Sequence, residues 1–238
     1  MNIAQGCPEG GALAFFTLIS IKIREKMKKL FTIVAVAATM LACGKANAQL
    51  SINVGYAPQT YTTTYNSTSS VLDMNGFFAG ANYNLTLSGD LKVSVGADVR
   101  YNTKTDKSSA SLFGISASNE ITKTQMLLDV PVLFNYGLNL NKNLKLAAFV
   151  GPTFSYALSG KETSETAVAG WGGSTEYDWY GDNSKLKKFD ISATFGVMLG
   201  VKEFRLFGGY NYGLLNLTST DNTTRKGTNW FLGFGYNL

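Results

Sequence analysis

Leu91, Val93, Val95, Ala97, Val99 and Tyr101 alternate with Lys92, Ser94, Gly96, Asp98 and Arg100 through eleven consecutive residues of the segment DLKVSVGADVRYNTK. Successive side chains of a β-strand point to opposite faces, so this strand has one apolar face and one polar, charged face. The same period recurs along the chain. Ile52, Val54 and Tyr56 alternate with Asn53 and Gly55, and Phe77, Ala79, Ala81, Tyr83 and Leu85 with Phe78, Gly80, Asn82 and Asn84. Met126, Leu128, Val130, Val132, Phe134 and Tyr136 alternate with Gln125, Leu127, Asp129, Pro131, Leu133 and Asn135. Leu144, Leu146, Ala148 and Val150 begin a further set, continued by Phe154 and Tyr156. Phe189 to Leu199, Phe204 to Tyr212 and Trp230 to Leu238 complete the series. The pattern predicts about eight strands, each long enough for the 9–11 residues of a tilted membrane-spanning strand. No stretch sustains a 3.6-residue period, so little helix is expected.

The polar connections alternate in length. Ser88 to Asp90, Asn139 to Asn143 and Lys202 to Glu203 read as tight turns. Pro58 to Ser70, Asn102 to Asn119, Ser159 to Lys185 and Thr218 to Gly227 read as long loops. That alternation predicts an all-β, antiparallel up-and-down transmembrane barrel of about eight strands, with short periplasmic turns and long extracellular loops. Soluble up-and-down barrels also alternate, with the apolar set inside. Here the apolar set is large and aromatic, whereas the other is rich in Gly, Ser, Asn and Asp. An eight-stranded interior is only wide enough for side chains, which suits the smaller set. The apolar face is therefore assigned to lipid and the polar face to the lumen. Lys92, Asp98, Arg100, Asp129, Asp190 and Arg205 become interior charges, the three aspartates being candidate partners for the three cations. Tyr56, Tyr83, Tyr101, Tyr136, Tyr156, Tyr210, Trp230 and Tyr236 fall near strand ends, where interfacial girdles form. Pro131 and Pro152 interrupt strands that a closed barrel cannot place at an edge, so bulges are expected there.

A composition of 16% charged and 13% aromatic residues with 25 Gly fits a lipid-facing β-protein. The net charge of +5 is concentrated upstream. Residues 1–48 hold six basic and two acidic residues, leaving 15 and 14 in the remainder. No basic stripe with interleaved aromatics is present, and no nucleic-acid partner is expected.

MKKLFTIVAVAATMLACGKANAQ, from Met27, has the three parts of a secretory signal: Lys28 and Lys29, the apolar run Leu30–Ala42, and the Ala46-Asn47-Ala48 cleavage site before Gln49. This run of 13 residues is too short for a helical span of about 20. The expected organisation is a non-native upstream extension 1–26, a signal peptide 27–48, and a barrel domain 49–238. In a second reading Met40-Leu41-Ala42-Cys43 is a loose lipobox with Cys43 lipidated, although Met40 and Leu41 fit that motif poorly. Cleavage after Ala48 removes both cysteines, and the chain contains no histidine. Cys–His and Ser–His catalysis and the usual zinc sites are thereby excluded, and neither enzymatic activity nor a cofactor is expected.

Gly233-x-x-Tyr236-x-Leu238 resembles the C-terminal assembly signal of outer-membrane barrels, implying recognition by the barrel-assembly machinery; Phe231 stands where that pattern usually has a polar residue. LLDVPVLFNYGL, AAFVGPTFSYAL, KKFDISATFGVMLGV and YNYGLLNL together resemble the PorT-like outer-membrane β-barrel family, in their order and spacing, across essentially all of residues 49–238. The resemblance implies an eight-stranded barrel in the outer membrane of a Gram-negative bacterium; outer-membrane lipid is the expected surrounding, and a monomer is expected. It implies no single activity.

The 159–185 segment carries Trp171, Tyr177, Trp179 and Tyr180 among Glu162, Glu165, Glu176, Asp178 and Asp182, without the spacing of a calcium loop. It is the candidate surface-binding loop for an envelope or cell-surface partner. The expected function is non-catalytic, through surface loops, in adhesion, envelope integrity or partner docking. A narrow porin-like channel for small solutes and an accessory of a secretion or assembly machine are the alternatives. A channel would be favoured if the 159–185 segment formed a further hairpin within a wider ring.

Overall fold

The computed structural model describes residues 48–112, 115–141, 143–168, 171–182 and 184–238. The upstream extension, Cys43, Ala46 and the signal segment up to Asn47 lie outside the described residues. Ala48 and Gln49 open the first strand. The elements are β1 (Ala48–Tyr56), β2 (Gln59–Tyr65), β3 (Thr68–Ser88), β4 (Leu91–Leu112), β5 (Ile115–Asn139), β6 (Leu144–Val168), β7 (Trp171–Asp178), β8 (Phe189–Val201), β9 (Phe204–Gly213) and β10 (Thr223–Asn237).

These form one closed antiparallel ring. β1 and β2 are two halves of a single barrel strand. Both pair with β3 on one side and β10 on the other, and Pro58 between them leaves the register unchanged: Tyr56↔Phe77 continues as Gln59↔Met74, and Tyr56↔Leu232 as Gln59↔Asn229. The ring runs β1/β2, β3, β4, β5, β6, β8, β9, β10 and back to β1, giving eight strand positions. The Leu238 amide donates to Leu50 O at 2.9 Å and fastens the last residue to the first strand.

The two faces separate as the alternation requires. Phe77, Phe134, Val150, Phe195, Val197 and Phe234 point outward, Phe77 being 61% and Phe234 64% exposed. A continuous surface of this kind is incompatible with water and fits hydrocarbon. On β4 the outward apolar run ends at Tyr101, after which Thr103, Thr105, Lys107 and Ser109 take its place. Leu91 to Tyr101 covers about 33 Å at ~3.3 Å per residue. A tilt of about 40° reduces this to about 25 Å, the usual height of a barrel's apolar band. The remainder of β4 stands clear of the membrane.

Two expectations are corrected. The segments read as long loops are largely strand. β2 and β3 meet at the two-residue turn Asn66-Ser67, both at positive φ, as a type I′ hairpin requires. β4 and β5 continue pairing to Leu112↔Ile115, and β6 runs to Val168. Thr-rich polar alternation such as QTYTTTY supports a wet two-faced ladder as well as a loop, and neighbouring strands supply the partners. The bulges expected at the prolines are also absent, because the register is constant across both. Ladder pairs beside Pro131 and Pro152 drop out, while Val95↔Val132 and Asp98↔Asp129 hold one side and Pro131↔Thr153 and Phe134↔Val150 the other. Gly96, opposite Pro131, leaves room for its ring, so no residue has to be extruded. The β5–β6 register shifts instead between Met126 and Leu127, opposite Leu158, at the upper rim of the apolar band.

Candidate functional site

The lumen is filled in layers. At mid-height lie Phe78, Phe149, Phe207 and Phe231, with ring centroids 6.1 Å apart for Phe149–Phe231, 6.2 Å for Phe78–Phe207 and 6.3 Å for Phe207–Phe231. Each ring lies over a glycine of another strand. A Cβ at Gly55 or Gly233 would strike Phe78, one at Gly196 would strike Phe149, and one at Gly209 would strike Phe231. Glycine is what admits such large residues to an eight-stranded interior. Phe231 is thus an interior residue, beside Gly233. Tyr236 and Leu238 of the C-terminal motif point outward.

Above this layer is a polar network. Arg100 donates from Nε to Asp129 Oδ2 at 2.8 Å, from Nη2 to Asp129 Oδ1 at 3.2 Å and from Nη1 to Gln59 Oε1 at 2.5 Å. Ser155 Oγ donates to Asp129 Oδ1 at 2.6 Å. The fork-to-carboxylate geometry links β2, β4, β5 and β6. The other interior charges are dispersed. Asp98 is the cross-strand neighbour of Asp129, and its Oδ1 has no hydrogen-bond partner. Asp190 accepts from the Ile191 amide at 2.8 Å. Arg205 donates to Asn53 Oδ1 at 2.8 Å, and Lys92 lies at the periplasmic mouth. Of the interior charges singled out from the sequence, only Arg100 and Asp129 are joined as an ion pair.

The outer mouth is capped by the candidate loop itself. Trp179, 4% exposed, packs with Tyr61, Met74 and Leu217, and Tyr180, Leu72 and Leu186 lie against them. The Arg225 guanidinium sits 4.6 Å from the Tyr61 ring centre and 5.6 Å from that of Trp179. Gln125 Nε2 donates to the Tyr180 hydroxyl at 2.6 Å, and Tyr61 donates to Gln125 Oε1 at 2.8 Å. Burial pushes the Tyr180 phenol above its ordinary range. Trp179 and Tyr180 are therefore not free surface aromatics, which corrects half of the expected binding set. They lie beyond the end of β7, where the chain turns back across an apolar mouth. Trp171, 86% exposed, and Tyr177, 56% exposed, remain on the surface.

Beyond the membrane the strands continue as a separate sheet. The upper parts of β4, β5 and β6, with β7, form four antiparallel strands in sequence order. β7 is the further hairpin strand considered above, but it pairs only with β6 and lies outside the ring, so the barrel is not widened. Both faces are polar and laced by ion pairs: Lys107–Glu120 at 2.9 Å, Lys123–Glu162 at 3.7 Å and Lys161–Glu176 at 2.7 Å. The Glu176 carboxylate holds the Lys161 ammonium above its ordinary range. Two edges are open. The β4 edge above Thr103 carries Lys104, Asp106 and Lys107, charges that guard against strand addition. On β7 every residue is exposed, and Trp171 to Thr175 carry no charge. Among the described residues no group of three or more Cys, Asp or Glu side chains is placed to hold a metal ion.

Two further features of the interior are written in the phase of the sequence. Phe149, Phe207 and Phe231 are out of phase with the lipid set of their own strands, which assigns them inward. Gln125 and Asn102, both buried, share the phase of the interior charges Asp129 and Arg100 on their strands. The turn-back of Trp179 has no local signature.

A closed antiparallel ring with an apolar outer band, short turns at one end and tall hairpins at the other is a membrane barrel of the outer-membrane type. Residues 42–219 match the family described as outer membrane protein beta-barrel domain, and the chain belongs to that family. It resides in the outer membrane of a Gram-negative cell, embedded in its lipid. Solved structures with similarity include Ail, the attachment invasion locus protein of Yersinia pestis, in complex with the heparin analogue sucrose octasulfate (15% identity, 80% of this chain and 99% of that chain, TM-score 0.33). Neisserial surface protein A is similar at 12% identity over 81% and 99% of the two chains, TM-score 0.38. The N-terminal barrel of Pseudomonas aeruginosa OprF is similar at 10% identity over 81% and 100%, TM-score 0.30. No curated protein sequence matches the chain.

Proposed function

We propose that the protein is a non-catalytic docking protein of the outer membrane, and that the free edge of β7 is where an extended segment of an envelope or cell-surface partner adds as a further strand. The observation that carries this reading is the uncharged, unpaired edge Trp171–Thr175, raised above the membrane and flanked by the exposed Trp171 and Tyr177 rings. An added strand gains affinity from main-chain hydrogen bonds and specificity from alternate side chains, for which large aromatics are efficient anchors. The capped mouth and the phenylalanine layer favour docking over solute passage. Within its family we place the chain among the PorT-like barrels, on the four motifs quoted above. It is processed before Gln49, assembled through Gly233, Tyr236 and Leu238, and acts as a monomer.

The edge is tested with Gly173→Lys. A Cβ at Gly173 meets nothing within 4 Å, so the fold accommodates it while the edge acquires a charge that opposes pairing. A photo-crosslinking residue at Ser174 on intact cells should yield a partner adduct that Gly173→Lys or Trp171→Ala abolishes. A crosslinker at Ser109 on the guarded β4 edge should yield none. Absence of an adduct at Ser174, or one indifferent to Gly173→Lys, overturns the proposal.

A further inference from the structure

Below the phenylalanine layer the lumen opens toward the periplasm as a vestibule of about 230 Å³. Four cationic side chains line it, Lys92, Lys145, Lys202 and Arg205, against the single carboxylate of Asp90. Asp90 is already engaged, accepting from Asn139 Nδ2 at 3.1 Å and lying 3.9 Å from Lys145 Nζ. Among the described residues no carboxylate lies within 4.0 Å of Lys92, Lys202 or Arg205. Arg205 is the informative member. It is 8% exposed, its Nε has no hydrogen-bond partner, and its polar contacts are the neutral Asn53 and the Met198 sulfur. Asp98 shares the smaller 90 Å³ cavity with Arg205 but does not line the vestibule.

A buried guanidinium without a counterion is costly, and placing lysines beside it raises that cost. The remaining lining includes Asn141 and Asn237, whose Nδ2 amides are free, among the described residues, to donate to oxygen acceptors, whereas those of Asn84 and Asn135 are spent on Gln49 O, Ser51 Oγ, Ser94 Oγ and Leu133 O. The walls are inward-facing strand residues and the rim is formed by Asp90, Asn141, Asn143 and Lys202 of the short turns, so access is from the periplasmic solution rather than from the bilayer. The volume is below the roughly 300–1,000 Å³ of sites for drug-sized ligands.

We propose that this vestibule is a binding site for a compact multivalent oxyanion, a phosphate ester or a small di- or tricarboxylate, entering from the periplasm. The oxyanion supplies the charge that Arg205, Lys92 and Lys202 lack, while the Asn141 and Asn237 amides orient it. The site is independent of the β7 edge and lies at the opposite end of the molecule.

The test uses the full barrel refolded in phosphatidylcholine nanodiscs, which offer no anionic headgroup, with inorganic phosphate and citrate as calorimetric probes and acetate as the monovalent control. Saturable binding of phosphate or citrate, and none of acetate, is expected. Lys92→Gln combined with Lys145→Gln should weaken it tenfold or more, with heat-modifiable mobility confirming that the variant folds. Lys161→Gln, on the outer hairpin, should leave it unchanged. Repeating the titration in phosphatidylglycerol nanodiscs separates the sources of the oxyanion: unchanged affinity supports a soluble ligand, and loss of binding shows that lipid headgroups take the site, overturning the proposal. No saturable heat, or equal affinity in the double variant, also overturns it.

Discussion

Asp129→Ala should be among the most damaging single changes in the lumen. The side chains of Arg100 and Asp129 are 6% and 11% exposed, so neither can recover its hydration when the other is removed. Deleting the carboxylate removes the bonds of 2.8 and 3.2 Å from Arg100 and the 2.6 Å bond from Ser155, leaving the guanidinium on Gln59 alone. A buried pair broken on one side costs about 3–5 kcal/mol. Asp129→Asn keeps oxygen in place but loses charge and should cost about 1.5–3 kcal/mol. Arg100→Met with Asp129→Leu removes both charges, and such replacements are often neutral. The double variant should therefore lose far less than the two single losses combined. By contrast, Glu120→Ala at the Lys107–Glu120 pair, whose side chains are 70% and 40% exposed, should cost no more than ~1 kcal/mol. Urea titration in phosphatidylcholine vesicles, followed by tryptophan fluorescence and heat-modifiable mobility, measures each. If Asp129→Ala stays within ~1 kcal/mol of the parent, or the double variant costs the full sum, the pair is not the charge-compensated centre described here.

Three further outcomes are expected. Val95→Arg, on the lipid face, should cost about 2–4 kcal/mol in the same titration, and Ser109→Arg, on the same strand face above the band, almost nothing. Gly196→Ala should cost about 1–3 kcal/mol because its methyl meets the Phe149 ring and the Gly208 carbonyl, whereas Gly200→Ala, whose nearest atom is at 3.7 Å, should be tolerated; thermal melts of the two variants decide it. Planar-bilayer recordings should show no steady conductance from the parent protein, and a steady open level would contradict a lumen closed by the four phenylalanines.

The barrel was legible because one face of every strand meets a uniform solvent. Hydrocarbon demands an apolar residue at each second position, and that demand is written locally, as in Leu91–Tyr101. The luminal face answers to neighbours two or three strands away. That Arg100 would take Asp129 depends on their diagonal placement across β4 and β5, and register is invisible along a single strand. The outer segments are ambiguous in sequence because water permits either loop or ladder there. Thr62–Thr64 and Thr163–Thr166 are polar in both cases, and only a partner strand decides. Trp179 and Tyr177 are two residues apart, yet one caps the mouth and the other faces solvent. The difference lies in where β7 ends, which no propensity near Asp178 specifies.

β5 and β6 each run for 25 residues without a break in the chain direction, from the periplasmic turn to the outer sheet. They are continuous cables. A partner held along β7 and pulled away from the cell loads the β6–β7 ladder, Lys161↔Asp178 through Val168↔Trp171, along its length. Its hydrogen bonds then share the force in shear instead of opening one at a time. The load passes into two strands gripped on both sides within the barrel wall. Tension at the tip is thus borne by the whole membrane-embedded ring, and an attachment made through a narrow sheet edge can resist flow or collision better than its small area would suggest.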